Sequence, residues 1–323
     1  MIVQILIIIL GLSMVVGGAD VLVEGASAVA RRYKVSEFLI GLTIVGFGTS
    51  LPELVVSVTG AVEGNSSIAI GNVVGSNIFN TIFILTLSAL FVPVAITPTN
   101  RKRDIPVAIL ATVLVILLGM SSTLFGLGKA DGLSRVEGMI MLLLFAGYIT
   151  FSFRKSAGDG ADSADGNAPA GKHSLGISIL FIVAGLALLI AGGNLFVDSS
   201  VSLAHMLGVS DKFIAVTILA MGTSLPELAT SIVAISKHRS QMALGNILGS
   251  NVFNLLLILG TSAVICPMSF AAMNMVDMGV LLFSILMVFA SVFTWRKNYI
   301  DRRDAVLMLL AFVAYMVWIF IKL

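Results

Sequence analysis

Long apolar stretches separated by short polar ones run the length of the chain. Ten apolar runs fall at approximately residues 2–28, 39–61, 68–94, 106–125, 136–153, 176–203, 213–235, 242–267, 275–294 and 304–321. Runs of about 20 residues suit helices crossing a hydrocarbon layer of about 30 Å. None of them alternates apolar and polar residues as the strand of an outer-membrane barrel does. The pattern therefore predicts an all-α integral membrane protein with ten transmembrane helices. Composition agrees: the 323 residues are 58% hydrophobic and 11% charged, with a mean hydropathy of +1.07, whereas soluble domains hold roughly 25% charged residues. The first run has no basic leader and no small-residue cleavage site, so it is expected to be a retained helix.

Charge fixes the expected orientation, because cytoplasmic loops collect Lys and Arg. The odd-numbered loops hold Arg31, Arg32 and Lys34; Arg101, Lys102 and Arg103; Arg154, Lys155 and Lys172; Lys237 and Arg239; and Arg296, Lys297, Arg302 and Arg303. That leaves Lys129, Arg135, Lys212 and Lys322 for the other side, so both termini are expected outside the cell membrane. The basic residues form no patch suited to nucleic acid. The single cysteine, Cys266, excludes an internal disulfide. His173, His205 and His238 are not spaced to share a metal or a catalytic task.

The sequence GTSLPE at Gly48–Glu53 recurs at Gly222–Glu227, and the same shift of 174 residues aligns Ile5–Pro93 with Ile179–Pro267 without a gap. Each half holds five apolar runs. An odd number makes the halves enter the membrane from opposite sides, the inverted repeat of secondary transporters. The expected layout is a first five-helix repeat over 1–153, a cytoplasmic linker over 154–173 and an inverted second repeat over 174–323. Charges that differ between halves agree: Arg31, Arg32 and Lys34 align with His205, Met206 and Gly208, whereas Glu63 aligns with Lys237. The joining stretch Ser156–His173 is rich in Gly, Ala and Asp and reads as a disordered linker. Its spaced acidic residues lack the closing Glu of an EF-hand calcium loop.

A proline and a glutamate inside each repeated run are a liability unless they have work to do. Pro52 lacks an N–H and its ring clashes with the carbonyl four residues back, freeing carbonyls around Gly48 and Thr49. Freed carbonyls in lipid need a partner. Thr49 and Glu53, at i and i+4, are expected on one helix face, with Thr223, Ser224, Pro226 and Glu227 as the matching set. Two carboxylates near the bilayer midplane cost several kcal/mol or more, and one Ca²⁺ would neutralise both. Asn72, Ser76 and Asn80 run along one stripe of the next helix, repeated by Asn246, Ser250 and Asn254. An all-oxygen set suits hard ions such as Ca²⁺ or Na⁺ and not Zn²⁺ or Cu⁺. Gly71 and Gly75, with Gly245 and Gly249, are spaced to admit a neighbouring helix closely.

The pairs GTSLPE…GNVVGSNIFN and GTSLPE…GNILGSNVFN resemble the two alpha repeats of the calcium/cation antiporter superfamily, most of all its prokaryotic sodium/calcium exchanger branch. The resemblance covers both halves. It implies that discontinuous second, third, seventh and eighth helices hold the ions while the long first and sixth slide across them. It further implies calcium ligands at Glu53, Glu227, Thr49 and Thr223, with Ser50 and Ser224 in the same motifs. Sodium ligands are implied at Ser76 and Ser250 and at backbone carbonyls near Gly46 and Ala220, and a central polar pair at Asn80 and Asn254. Structurally known relatives carry an Asp where this chain has Asn254, which removes one proton carrier.

The expected function is a secondary antiporter, not an enzyme, that exchanges Ca²⁺ for Na⁺ by alternating access and exports Ca²⁺. No cofactor is expected beyond the transported ions, and no partner beyond the lipid bilayer: no nucleic acid and no obligate protein. The alternative is a Ca²⁺/H⁺ antiporter with Glu53 and Glu227 as proton carriers, and K⁺ cotransport stays open. A channel is disfavoured because filters form on an oligomer axis, whereas this chain completes its repeat internally. Asp20 and Glu24 are open to two readings, an entry path or snorkelling at the interface.

Overall fold

The computed structural model describes residues 1–126, 130–159, 174–209, 220–270, 273 and 275–322. Two compact units divide the chain, one formed by Met1–Ser50 with Phe151–Ile247 and the other by Leu51–Thr150 with Leu248–Lys322.

Two 32-residue helices, Ile2–Tyr33 and Leu175–Met206, dominate the first unit and pack against each other along their length. Their antiparallel course follows from the end contacts: Gln4 Nε2 donates to Ser202 Oγ at 3.1 Å. The seam is built of residues seven apart. A Cβ added at Gly11 would lie 2.8 Å from the Gly192 carbonyl oxygen, one at Gly18 2.8 Å from that of Gly185, and one at Gly25 2.7 Å from that of Ser178. Only glycine lets the two backbones approach this closely, and without water to drive association such van der Waals contact is what holds apolar helices together. Their outer faces carry exposed Leu6, Ile9, Ile179 and Leu180, as a lipid-facing surface requires.

The first helix ends at Lys34, which adopts the left-handed conformation (φ 52°). Ser36 then caps the next, its hydroxyl accepting from the Leu39 N–H at 3.2 Å. That helix is interrupted: Glu37–Ile40 is α-helical, Gly41–Val45 is a π turn and Gly46–Thr49 is α-helical again. Ser50 breaks it, and Leu51–Val62 begins the second unit with Pro52 in its first turn, where a missing N–H costs nothing. The corresponding break in the other half falls at Thr223–Ser224, between Ala220–Gly222 and Leu225–Ser236.

In the second unit Leu51–Val62 packs on Ser66–Ile78, which runs through a π segment, Phe79–Ile84, into Leu85–Phe91. The same order recurs 174 residues on as Ser240–Val252, the π segment Phe253–Ile258 and Leu259–Ile265. Around these lie Ile105–Gly119, Arg135–Asp159, Met275–Ser291 and Arg302–Lys322. Two short antiparallel strand pairs, Val94–Ala95 with Tyr299–Ile300 and Gly132–Leu133 with Met268–Ser269, tie helix ends together.

Six described helices are long and apolar enough to cross a membrane, or seven if the broken pair Glu37–Thr49 and Leu51–Val62 counts as one. Of the remaining expected spans, 106–125 meets the 15-residue helix Ile105–Gly119 and 275–294 the 17-residue helix Met275–Ser291. The run 213–235 meets Leu225–Ser236, and residues 213–219 lie outside the described residues. The helix from Arg135 runs to Asp159, so Ser156–Asp159 is helical and not the start of a disordered linker; residues 160–173 lie outside the described residues. The close approach expected at Gly245 is present, its added Cβ meeting the Phe38 carbonyl oxygen. Gly71 and Gly75 meet no neighbouring backbone among the described residues.

Candidate functional site

The break at Ser50 overturns one expectation about the motif. Thr49 ends one helix and Glu53 lies in the first turn of the next, so they do not share a face of one continuous helix. Pro52 supplies the reason: it cannot donate to Gly48, and the chain turns instead.

In the first unit the break brings the GTSLPE motif of one half to that of the other. Ser50 Oγ donates to Glu227 Oε1 at 3.0 Å, and both side chains are buried. Thr49, also buried, has its Oγ1 3.2 Å from Asn246 Oδ1 and 3.4 Å from the Gly46 carbonyl oxygen. The Gly46 carbonyl also accepts the Ser50 N–H at 3.2 Å. Asn246 braces the glutamate from behind: its Nδ2 lies 3.3 Å from the Glu227 carbonyl oxygen, 3.0 Å from Thr230 Oγ1 and 3.0 Å from Ser231 Oγ. Ser224 is buried and Thr223 is half-buried.

The second unit repeats the brace. Asn72 Nδ2 reaches the Glu53 carbonyl oxygen at 3.3 Å and Ser57 Oγ at 3.0 Å, and Glu53 is buried. Each asparagine thus ties the backbone of the helix carrying the glutamate to the helix that follows. Asn72 and Asn246 share a stripe with the candidate ligands, and their Nδ2 groups are taken up in this bracing.

Asn80 and Asn254 each occupy the second position of a π segment. A π turn widens the helix and re-aims side chains, and such turns concentrate at functional sites. Nothing in the apolar periodicity announced them. Asn254 Nδ2 donates to Asn77 Oδ1 at 3.0 Å, Asn77 Nδ2 to the Asn251 carbonyl at 3.2 Å, and Asn251 Nδ2 to Thr81 Oγ1 at 2.6 Å. Asn80 Oδ1, Asn254 Oδ1 and Ser76 Oγ are buried oxygens with no hydrogen-bond partner among the described residues. Ser250 is buried as well. Buried polar atoms are nearly always satisfied, so these oxygens stand out on one pair of helices.

Comparison with known proteins gives the family. The model of the family described as sodium/calcium exchanger protein matches residues 3–154 and 177–321. The chain belongs to that family. It is 32% identical over 352 residues to the sodium/calcium exchanger MaX1 of Methanosarcina acetivorans, covering 98% of this chain and 99% of that protein. It is 35% identical over 268 residues to the inner membrane protein YrbG of Escherichia coli, covering 81% of this chain and 79% of that protein. Among solved structures it resembles the sodium-calcium exchanger NCX_Mj, with a TM-score of 0.82, 30% identity and coverage of 98% of both chains. An all-helical membrane exchanger is therefore the fold.

Outside the expected set, Asp20 pairs with Lys237, Oδ1 to Nζ at 2.8 Å, and Glu24 Oε2 lies 3.9 Å from the same ammonium. Arg239 also pairs with Glu37. These exposed and half-exposed groups act as helix-to-helix ties in the first unit.

Proposed function

We propose that this chain is a secondary antiporter that exchanges Na⁺ for Ca²⁺ by alternating access and exports Ca²⁺ from the cell. The observation that carries the reading is a fully buried glutamate on each GTSLPE motif, Glu53 and Glu227, supported by buried hydroxyl and amide oxygens. The oxygens of Thr49, Ser50, Thr223, Ser224, Ser76, Ser250, Asn80 and Asn254, with the carbonyls of Gly46 and Ala220, complete the proposed ligand set. Oxygen-only sets select hard ions. One divalent or several monovalent ions balance the same two carboxylates, so the fluxes couple by competition. The names of MaX1 and NCX_Mj as sodium/calcium exchangers support the choice of ions.

The proposed layout is ten helices in two inverted five-helix repeats in the cell membrane, with both termini outside. The pairs Asp20–Lys237 and Glu37–Arg239 support it, since each joins groups that the charge pattern puts on the cytoplasmic side. The glycine seam, which holds the long first and sixth helices together, supports their moving as one against the ion-holding helices.

The test is Ca²⁺ uptake into proteoliposomes loaded with Na⁺, with K⁺, or with an outward proton gradient. Uptake driven by internal Na⁺ and abolished by Glu53→Gln or by Glu227→Gln is the expected result. Uptake driven by protons alone overturns the sodium assignment, and uptake surviving both substitutions overturns the site.

A further inference from the structure

The two asparagines in the π segments are related by the sequence repeat, yet they are held differently. Asn254 Nδ2 is tied to Asn77 Oδ1 at 3.0 Å, leaving Oδ1 as its one open atom. Shifting that pair by 174 residues predicts a bond from Asn80 Nδ2 to Asn251 Oδ1. It is absent: Asn80 Nδ2, Asn80 Oδ1 and Asn251 Oδ1 have no hydrogen-bond partner among the described residues, although both side chains are buried.

The cause lies one residue beyond Asn80. Thr81 Oγ1 accepts from Asn251 Nδ2 at 2.6 Å, whereas the residue 174 positions on is Leu255, which has no hydroxyl to offer Asn77. Thr81 and Asn251 meet at a small cavity of about 10 Å³, bordered also by Asn77, Thr112 and Ser284, and the amide of Asn251 is bonded there and not to Asn80. Leu255 leaves Asn77 to serve Asn254.

We propose that Thr81 is a positioning residue that sets ion selectivity by withholding Asn251 from Asn80. The inference rests on the reading of Asn80 and Asn254 as ion ligands. An amide whose nitrogen is already bonded presents its oxygen to a cation ready-aimed, as Asn254 does. An amide bonded at neither end is ordered only when the ion arrives, and that ordering weakens binding of the ion it serves. Asn80 is thus the adaptable ligand of the pair and Asn254 the rigid one, and the difference is written in Thr81 and Leu255.

The experiment measures the KM for Na⁺ and for Ca²⁺ in proteoliposomes for wild type, Thr81→Val, Thr81→Ser, Asn80→Ala and the double variant Thr81→Val with Asn251→Ala. Removing the hydroxyl frees Asn251 to fix Asn80, so Thr81→Val is expected to lower one of the two KM values by about 2- to 10-fold, the range for ordering one side chain, and to leave the other unmoved. Thr81→Ser keeps the hydroxyl and the wild-type ratio of the two constants. The double variant removes the amide that would capture Asn80 and cancels the change. An unchanged KM ratio in Thr81→Val, or a change that persists in the double variant, overturns the proposal. Asn80→Ala separates the two ideas: if it moves neither KM, the ligand reading fails; if it moves one while Thr81→Val moves none, only the role of Thr81 fails.

Discussion

Adjacent glycines in the first helix make a matched test of the seam. Gly17 is exposed and an added Cβ there meets nothing within 4 Å, whereas at Gly18 it lies 2.8 Å from the Gly185 carbonyl oxygen and 2.8 Å from the Leu189 nitrogen. Both positions gain the same helix propensity from alanine, about 1 kcal/mol. Gly17→Ala is therefore expected to stabilise the protein by up to about 1 kcal/mol. Gly18→Ala must push the two long helices apart along a seam where the contacts are backbone and cannot rotate away, and overpacking of this kind costs about 1–3 kcal/mol. The difference between the variants cancels propensity and isolates the clash. At about 2 °C per kcal/mol for a chain of this size, Gly18→Ala should melt about 2–6 °C below Gly17→Ala in detergent. The pair Gly193→Ala and Gly192→Ala repeats the test from the other helix, since Gly193 meets nothing and Gly192 faces the Gly11 carbonyl oxygen at 2.7 Å. Equal melting temperatures within each pair would refute backbone contact as the basis of the seam.

Each asparagine brace spends its amide N–H groups on the helix that carries the glutamate, Asn246 on the Glu227 carbonyl, Thr230 and Ser231 and Asn72 on the Glu53 carbonyl and Ser57. With about 1 kcal/mol per buried hydrogen bond and two N–H groups per amide, Asn246→Ala and Asn72→Ala should each cost about 2 kcal/mol in the same melting assay, and an unchanged melting temperature would refute the brace. Asp104 provides a pH signature: its burial raises its pKa, against the opposing pull of Arg103, Asn100 and Tyr148. The folded state therefore binds a proton more tightly than the unfolded chain, whose carboxyl titrates at 3.8. Stability from this group is full below that value and is lost as pH rises through the folded pKa. The melting temperature of wild type relative to Asp104→Asn should accordingly rise as pH falls from 7 toward 4, and a flat difference would sink the assignment.

Much of this was legible in the sequence for a simple reason: apolar runs, basic loops and a gapless repeat are all one-dimensional patterns. The helix breaks followed from the chemistry of proline in an apolar run, and the same reasoning singled out Glu53 and Glu227, which the structure buries beside them. What escaped was local winding. A π turn needs no special residue, so Phe79–Ile84 and Phe253–Ile258 look like ordinary helix, and the i, i+4, i+8 stripe alone does not separate Asn72 and Asn246, which brace backbone, from the candidate ligands beside them. Likewise Thr49 and Glu53 shared a face only on a helix that the same proline prevents. Span counting met a different limit, since Ile105–Gly119 and Met275–Ser291 are shorter than the apolar runs they lie in.

The residues that differ between the halves have a consequence of their own. On the proposed inverted layout, exchanging the conformations of the two repeats converts the inward-facing state into the outward-facing one, so identical repeats would make the two states equal in energy. Any bond present in one half only tilts that balance. Thr230, which accepts from Asn246, has Val56 as its counterpart, a residue with no hydroxyl to offer. Thr230→Val matches the residue to Val56 and removes two buried hydrogen bonds, the one accepted from Asn246 and the one given to the Pro226 carbonyl, about 2 kcal/mol together, which corresponds to at most roughly a 30-fold change in the ratio of the two states. The ion site presented to one face then becomes more populated and that presented to the other less. In proteoliposomes of uniform orientation, the Ca²⁺ KM measured from the two faces should move in opposite directions, their ratio shifting by up to about 30-fold. A substitution that changes both by the same factor would mean that Thr230 acts on the site itself and not on the balance between its two exposures.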